Sequence, residues 1–310
     1  IADRSRIVID LSEPALVDRV DSLDADGRRR MIFHIGRADR AKFAEAARTS
    51  AARRAIAAPA EQPAPPASHG GGNAKALVVI DPGHGGIDPG ATTPDGHDEK
   101  SVVLAVALAL KEKLEKSGRV QVAMTRSTDV FVALGERVKF ARDRKADLMI
   151  SLHADKLAYE PGVRGASIYT LSEKASDVLS ARLADSENSA DQLAGVEASE
   201  DTSVIGDILF DLTKRETRHF SMNLARHLGE SLPRSTNMHK QPLRSAGFRV
   251  LKAPDVPSVL IETGYLSSTE DAKLMKSAEW RERMAEAIAV AVEKFVGENA
   301  TRVTNSAARP

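Results

Sequence analysis

The sequence predicts an α/β fold: a mixed, mostly parallel six-stranded sheet with helices on both faces. Three observations predict it. Short apolar runs recur between residues 76 and 297, and most are apolar on both faces, as strands covered from two sides must be. Helical patterns separate these runs, which calls for crossover connections. Polar turns rich in Gly, Asp and His follow the runs, at the strand ends where α/β sheets carry their functional loops.

Element by element, strands are read at ALVVID (76–81), VQVAMTR (120–126), ADLMISLHA (146–154), RGASIYTL (164–171), FRVLK (248–252) and SVLIET (258–263). Helices are read at 100–116, 132–144 and 280–295. The connection from 172 to 245 is far longer than an αβ loop requires. Val178, Leu179 and Leu183 give it one amphipathic helix, SENSADQLAGV a short second one, and Ile205, Ile208, Leu209 and Leu212 begin a long third. The stripe of that third helix continues through Phe220, Leu224 and Leu228, so it reads as a core crossover helix.

A chain of 310 residues holds one large domain and an appendage. Lys plus Arg equals Asp plus Glu at 44 each, so no long-range field would steer it to nucleic acid. With no cysteine, thiolate metal sites, cysteine nucleophiles and disulfides are excluded, and any metal must sit on His and carboxylate. No run of ~20 apolar residues suggests a transmembrane segment. The first residue is Ile and no apolar leader is visible, from which a processed or trimmed product is expected. RIVIDL from Arg6 and MIFHIG from Met31, separated by a polar stretch, read as two strands at the end of a small β-rich unit (1–40). An Ala/Pro/Gly-rich linker (41–75), a main domain (76–297) and a polar tail (298–310) complete the expected organisation.

Three candidate ligands lie at loop or helix starts. His84 sits in IDPGHGGIDPGA, just after the first core strand; Glu99 opens a helix; His153 ends LMISLH. Each alone has an ordinary reading: a turn histidine, an acidic residue favoured at a helix N-terminus, a hydrogen-bonded core histidine. Together they match what a catalytic zinc needs, two imidazoles and a carboxylate with a fourth position left for water. Glu262 ends the apolar run SVLIE, where a charge is expensive without a partner or a task, and the task read for it is general base. His97 competes as a ligand because it lies two residues from Glu99, although an exposed loop histidine is the commoner outcome. His219, His227 and His239, in or after the long helix, are expected at the surface. A phosphate cradle is a rival reading of the Gly-rich turn, but the chain has neither G-x-G-x-x-G nor G-K-[ST] there.

The ordered set VVIDPGHGGIDPGA, EKSVVLAVALALKEKLE, VAMTRSTDVFVALGERVKFAR, ADLMISLHAD and AGFRVLKAPDVPSVLIETGYLS resembles the zinc-dependent N-acetylmuramoyl-L-alanine amidases, the peptidoglycan-splitting family 3 enzymes. The resemblance implies a three-layer, phosphorylase/hydrolase-like fold, Zn2+ on His84, Glu99 and His153, and Glu262 as the catalytic glutamate. It implies as substrate the amide between the lactyl group of N-acetylmuramic acid and L-alanine of the stem peptide. Asp155 and Ser268 stand where the family commonly has Asn.

Residues 172–202 resemble the inserted regulatory segment of division-associated amidases, in which a helix covers the active site and a glutamate occupies the metal. Glu187 is the expected internal ligand, with Glu173, Glu197 and Glu200 also in the segment. The same resemblance implies a LytM-domain-type activator, a periplasmic location and a role in daughter-cell separation. Residues 1–40 resemble the carboxyl end of an AMIN domain. A non-catalytic wall-binding protein on this fold, or a zinc peptidase cutting stem-peptide bonds, is the alternative.

Overall fold

The computed structural model describes residues 15–25, 28–39, 75–93, 95–156, 162–193, 195 and 208–307. The chain divides into two units, residues 1–64 and 65–310.

In the first unit, β1 (Ala15–Ala25) and β2 (Arg28–Arg37) pair antiparallel, with a register shift between Val17 and Arg19. MIFHIG falls in β2 as expected, whereas RIVIDL lies outside the described residues. The stretch read as a polar separator is itself β1, because ALVDRVDSLDA places Val17 and Val20 in register with Ile35 and Phe33 of β2. Ile32 and Phe33 project to opposite faces of the ribbon and both are exposed, so neither face has a packed layer among the described residues.

In the second unit, β3 (Leu77–Pro82), β4 (Gln121–Met124), β5 (Leu148–His153), β6 (Ala166–Leu171), β7 (Met238–Ala246) and β8 (Ser258–Glu262) form one sheet of order β4-β3-β5-β8-β6-β7. The four strands β4, β3, β5 and β8 run parallel, and β6 meets β8 antiparallel while pairing parallel with β7. The carboxyl ends of β3, β5 and β8 therefore share one edge.

Alternation along β3 assigns its side chains to two cores. Val78 and Ile80 join α1 (Glu99–Ser117), α5 (Ile208–Ser231) and α7 (Ala278–Ala307), through Val106, Leu110, Leu224, Trp280 and Ile288. Leu77 and Val79 join the opposite core with Leu134 of α2 (Leu134–Asp143), Leu183 of α3 (Val178–Asn188), Tyr169 and Phe248. Each fully buried large apolar side chain contributes about 2–3 kcal/mol. The four-residue α4 (Ala190–Leu193) follows α3, and α6 (Thr269–Met275) follows β8.

Several expectations change. FRVLK is not a strand: Arg249–Leu251 is a 3-10 turn, and the sixth strand is MHKQPLRSA instead. Its Pro242 and alternating polar residues suit a sheet edge, which is where it lies. Helix α7 continues to Ala307, so most of the expected tail is helical. Of the apolar residues read into α3, Leu183 is buried but Val178 is 69% exposed. His227 is buried and its Nε2 lies 3.1 Å from Glu298 Oε2, contrary to the surface position expected. The expected linker lies outside the described residues except for Lys75. Among the described residues, no helix is long and apolar enough to cross a membrane.

Candidate metal centre

The glycine-rich turn after β3 explains its own composition. His84 adopts a left-handed backbone (φ 58°), followed by Gly85 and Gly86, also at positive φ. A Cβ on Gly83 would stand 2.4 Å from His153 Cε1, and one on Gly90 would stand 2.7 Å from both Glu99 Oε2 and His84 Cδ2. The loop lacks side chains because two imidazoles and a carboxylate fill that space.

Each functional group is fixed by its neighbours. His84 Nδ1 lies 2.9 Å from Asp88 Oδ2, and Asp88 Oδ1 accepts the N–H of Gly90 at 3.1 Å. With Nδ1–H given to Asp88, His84 Nε2 is left with its lone pair. Glu99, the first residue of α1, accepts the N–H of Ala154 at Oε1 (2.8 Å) and that of Ala91 at Oε2 (2.9 Å). His153 ends β5, and its carbonyl accepts both the N–H (2.9 Å) and the hydroxyl (3.0 Å) of Thr263.

Glu187 comes from the last turn of α3, buried to 5% exposure. A carboxylate near a helix C-terminus opposes the helix dipole, and this last turn carries no basic residue. Its placement therefore calls for a cation. Glu187 Oε2 lies 3.1 Å from His153 Nδ1 and 3.6 Å from His84 Nε2, while Glu99 Oε1 lies 3.3 and 3.1 Å from the same two atoms. One donor atom from each of the four residues falls within 4.8 Å of the others. His84 Nε2 and His153 Nδ1 are buried without a hydrogen-bond partner. Buried orphan nitrogens of this kind are costly unless they ligate something, so the cluster is able to hold a metal ion.

Glu262 stands beside it, because His153 and Glu262 are register partners on adjacent parallel strands. Its Oε2 accepts the N–H of Asp155 at 3.0 Å, and its Oε1 has no partner. Burial pushes the Glu262 carboxyl well above the usual range; His153 pulls it down, but Glu99, Asp155 and Glu187 push it further up. Asp155 is pushed up to about 8, by burial first and then by Glu187 and Glu99. Burial lowers His153, but Glu187 and Glu99 outweigh it and raise the imidazole to about 10. Beside burial, these directions share a contribution from the cluster's carboxylates, an excess of buried negative charge that attracts protons or a cation.

The structure thus brings together His84, Glu99, His153 and Glu187, with Glu262 alongside. His97 is exposed and stays apart from the cluster, with Asp95 3.9 Å away. Glu173 is exposed, and Glu197 and Glu200 lie outside the described residues. The sequence reading missed Asp88, although a carboxylate four residues after a histidine in a tight turn is the signal for an imidazole partner.

Comparison with known proteins gives the family of the chain. The family described as N-acetylmuramoyl-L-alanine amidase matches residues 78–294. The chain is 39% identical over 238 residues to N-acetylmuramoyl-L-alanine amidase AmiC of Neisseria meningitidis, covering 76% of this chain and 56% of that one. It is 39% identical over 232 residues to AmiA of Escherichia coli, covering 74% and 79% respectively. The solved structure of N-acetylmuramoyl-L-alanine amidase AmiC2 of Nostoc punctiforme aligns with a TM-score of 0.52 at 29% identity, over 73% of this chain and 99% of that one. The chain spans little more than half the length of the Neisseria relative. It belongs to the N-acetylmuramoyl-L-alanine amidase family.

Proposed function

We propose that the chain hydrolyses the amide joining the lactyl group of N-acetylmuramic acid to L-alanine of the peptidoglycan stem peptide, and that it serves daughter-cell separation in the periplasm. The observation that supports this best is the meeting of His84 Nε2, His153 Nδ1 and Glu99 Oε1, with the unpaired Glu262 Oε1 one strand away. Two imidazoles and a carboxylate suit zinc among the borderline ions. When bound, zinc polarises the scissile carbonyl and makes water acidic enough to ionise near neutrality. Glu262, whose Oε1 is unpaired, takes the proton from the attacking water and delivers it to the departing amino group of L-alanine.

Glu187 is the resting occupant of the remaining ligand position, so α3 acts as a plug and a LytM-domain-type activator draws it away. A population shift of that kind requires a few kcal/mol of differential affinity for the open state. Residues 1–40 would then be the carboxyl end of an AMIN-like targeting unit.

The test uses the purified full chain with zinc on sacculi, with and without the candidate activator, beside Glu262→Ala. Release of peptides with L-alanine at the amino end, abolished in Glu262→Ala, is the expected result. Peptides beginning at another stem residue would mean a peptidase, and binding of sacculi without release would mean a wall-binding protein.

A further inference from the structure

The backbone of the His84 turn is gripped from outside by side chains that follow β4. Arg126 donates from Nε to the Pro82 carbonyl (2.9 Å), and from Nη2 to the carbonyls of Gly83 (2.7 Å) and Lys100 (2.8 Å). Arg137, in α2, donates from Nη1 to the Pro82 carbonyl (2.7 Å) and Asp81 Oδ1 (2.8 Å), and from Nη2 to the His84 carbonyl (2.8 Å). Its Nε donates to the Val132 carbonyl at 2.9 Å. Three successive carbonyls, those of Pro82, Gly83 and His84, therefore end on guanidinium groups. On the far side of the turn, Asp129 Oδ1 accepts the Gly86 N–H (2.7 Å), and Lys100 Nζ bridges the Gly86 carbonyl (2.9 Å) and Asp129 Oδ2 (2.8 Å).

A physical reason for this concentration lies in the turn. A histidine at φ 58° occupies a region that disfavours a side chain, and is therefore strained. Its glycine neighbours are free to adopt other conformations, so the turn does not hold itself. Arg126 and Arg137 are both nearly inaccessible, at 3% and 2% exposure. Buried cations are a poor source of stability, and Arg137 directs all three nitrogens at the protein, two of them at the turn. They are well suited to fixing geometry.

We propose that Arg126 and Arg137, assisted by Asp129, are positioning residues of the metal centre. They hold the backbone of His84 so that Nε2 already faces Glu99 and His153 before an ion arrives. The inference rests on the metal-binding reading of the cluster.

The test measures zinc affinity of the full chain by competition with a chromophoric chelator, together with the visible absorption of the cobalt-substituted protein and the melting temperature without metal. The variants are Arg137→Lys, Arg126→Lys and Asp129→Ala. Lysine keeps the charge but lacks the rigid planar fork that reaches carbonyls lying in different directions. The expected result is a loss of about 10- to 100-fold in zinc affinity for each lysine variant and a shifted cobalt band. A merely structural role would lower the melting temperature and leave the cobalt band in place.

Asp129 is 56% exposed, so its variant should fold even if Arg137→Lys does not, and it should weaken zinc about threefold to tenfold. Zinc affinities within about twofold of wild type in the folded variants, with unchanged cobalt spectra, would overturn the proposal. Failure of the wild-type chain to bind zinc would overturn the metal reading on which it rests.

Discussion

Asn188 Oδ1 accepts the backbone N–H of Arg249 at 2.7 Å, and the same amide donates from Nδ2 to the Gly247 carbonyl at 3.0 Å. This pairing pins the end of α3 one residue beyond Glu187. A second tie lies just after it, where Asp191 Oδ1 accepts the N–H of Leu134 at 2.8 Å and Oδ2 lies 3.3 Å from Arg249 Nη1. The end of α3 is therefore held by contacts made away from the histidines, and under the plug reading these contacts hold the closed state.

Asn188→Ala should loosen the resting state without touching the ligands. Losing two half-buried hydrogen bonds, at about 0.5–1.5 kcal/mol each, removes about 1–3 kcal/mol from the closed form. Release of peptide from sacculi without activator should rise by about 5- to 100-fold. An unchanged basal rate in a folded variant would remove Asn188 from the latch.

Glu187→Gln keeps the shape of the plug and removes its charge. Basal release should rise, and zinc should stay bound through His84, Glu99 and His153. The double variant with Glu262→Gln should be silent. Equal basal rates for wild type and Glu187→Gln would count against the plug.

Gly83→Ala would place a methyl group 2.4 Å from His153 Cε1. Because the obstacle is a ring locked in the core, His153 has to move, and zinc affinity should fall by about tenfold or more. Calorimetric titration of the metal reads this directly.

Asp81 links stability to pH. Burial raises its pKa, but Arg137 and hydrogen bonds from Thr125 and Ser151 outweigh this and hold it below its ordinary 3.8. A carboxylate depressed in the folded state contributes stability that is complete above the unfolded pKa and fades as pH falls through the folded one. Asp81→Asn strips the counter-charge from a buried arginine and should cost about 3–5 kcal/mol at pH 7. Urea unfolding at pH 7 and pH 3 should show the gap between wild type and variant narrowing in acid.

The parallel strands and the candidate ligands His84 and His153 that follow or end them are legible because both leave local marks. LVVIDP and LMISLH open with apolar runs, are buried throughout and stop at polar turns. FRVLK misled because Phe248, Val250 and Leu251 are core residues carried by an irregular segment, and apolar content alone does not distinguish that from a strand. MHKQPLRSA escaped notice for the opposite reason: an edge strand buries few side chains, and its proline argues against a central one. Glu187 could be singled out from its neighbouring glutamates only by resemblance, because periodicity does not reveal which carboxylate meets a histidine across the fold. Arg126 and Arg137 were invisible as a pair, since apart from Asp81 their partners are backbone carbonyls and any residue supplies those.

The position of Glu187 also makes ion retention and catalytic silence reciprocal under the plugged reading. Whatever factor by which closure tightens the ion is the factor by which the ion tightens closure. A resting molecule would then hoard its zinc where the free ion is scarce, and a chelator would strip the awakened enzyme before the dormant one.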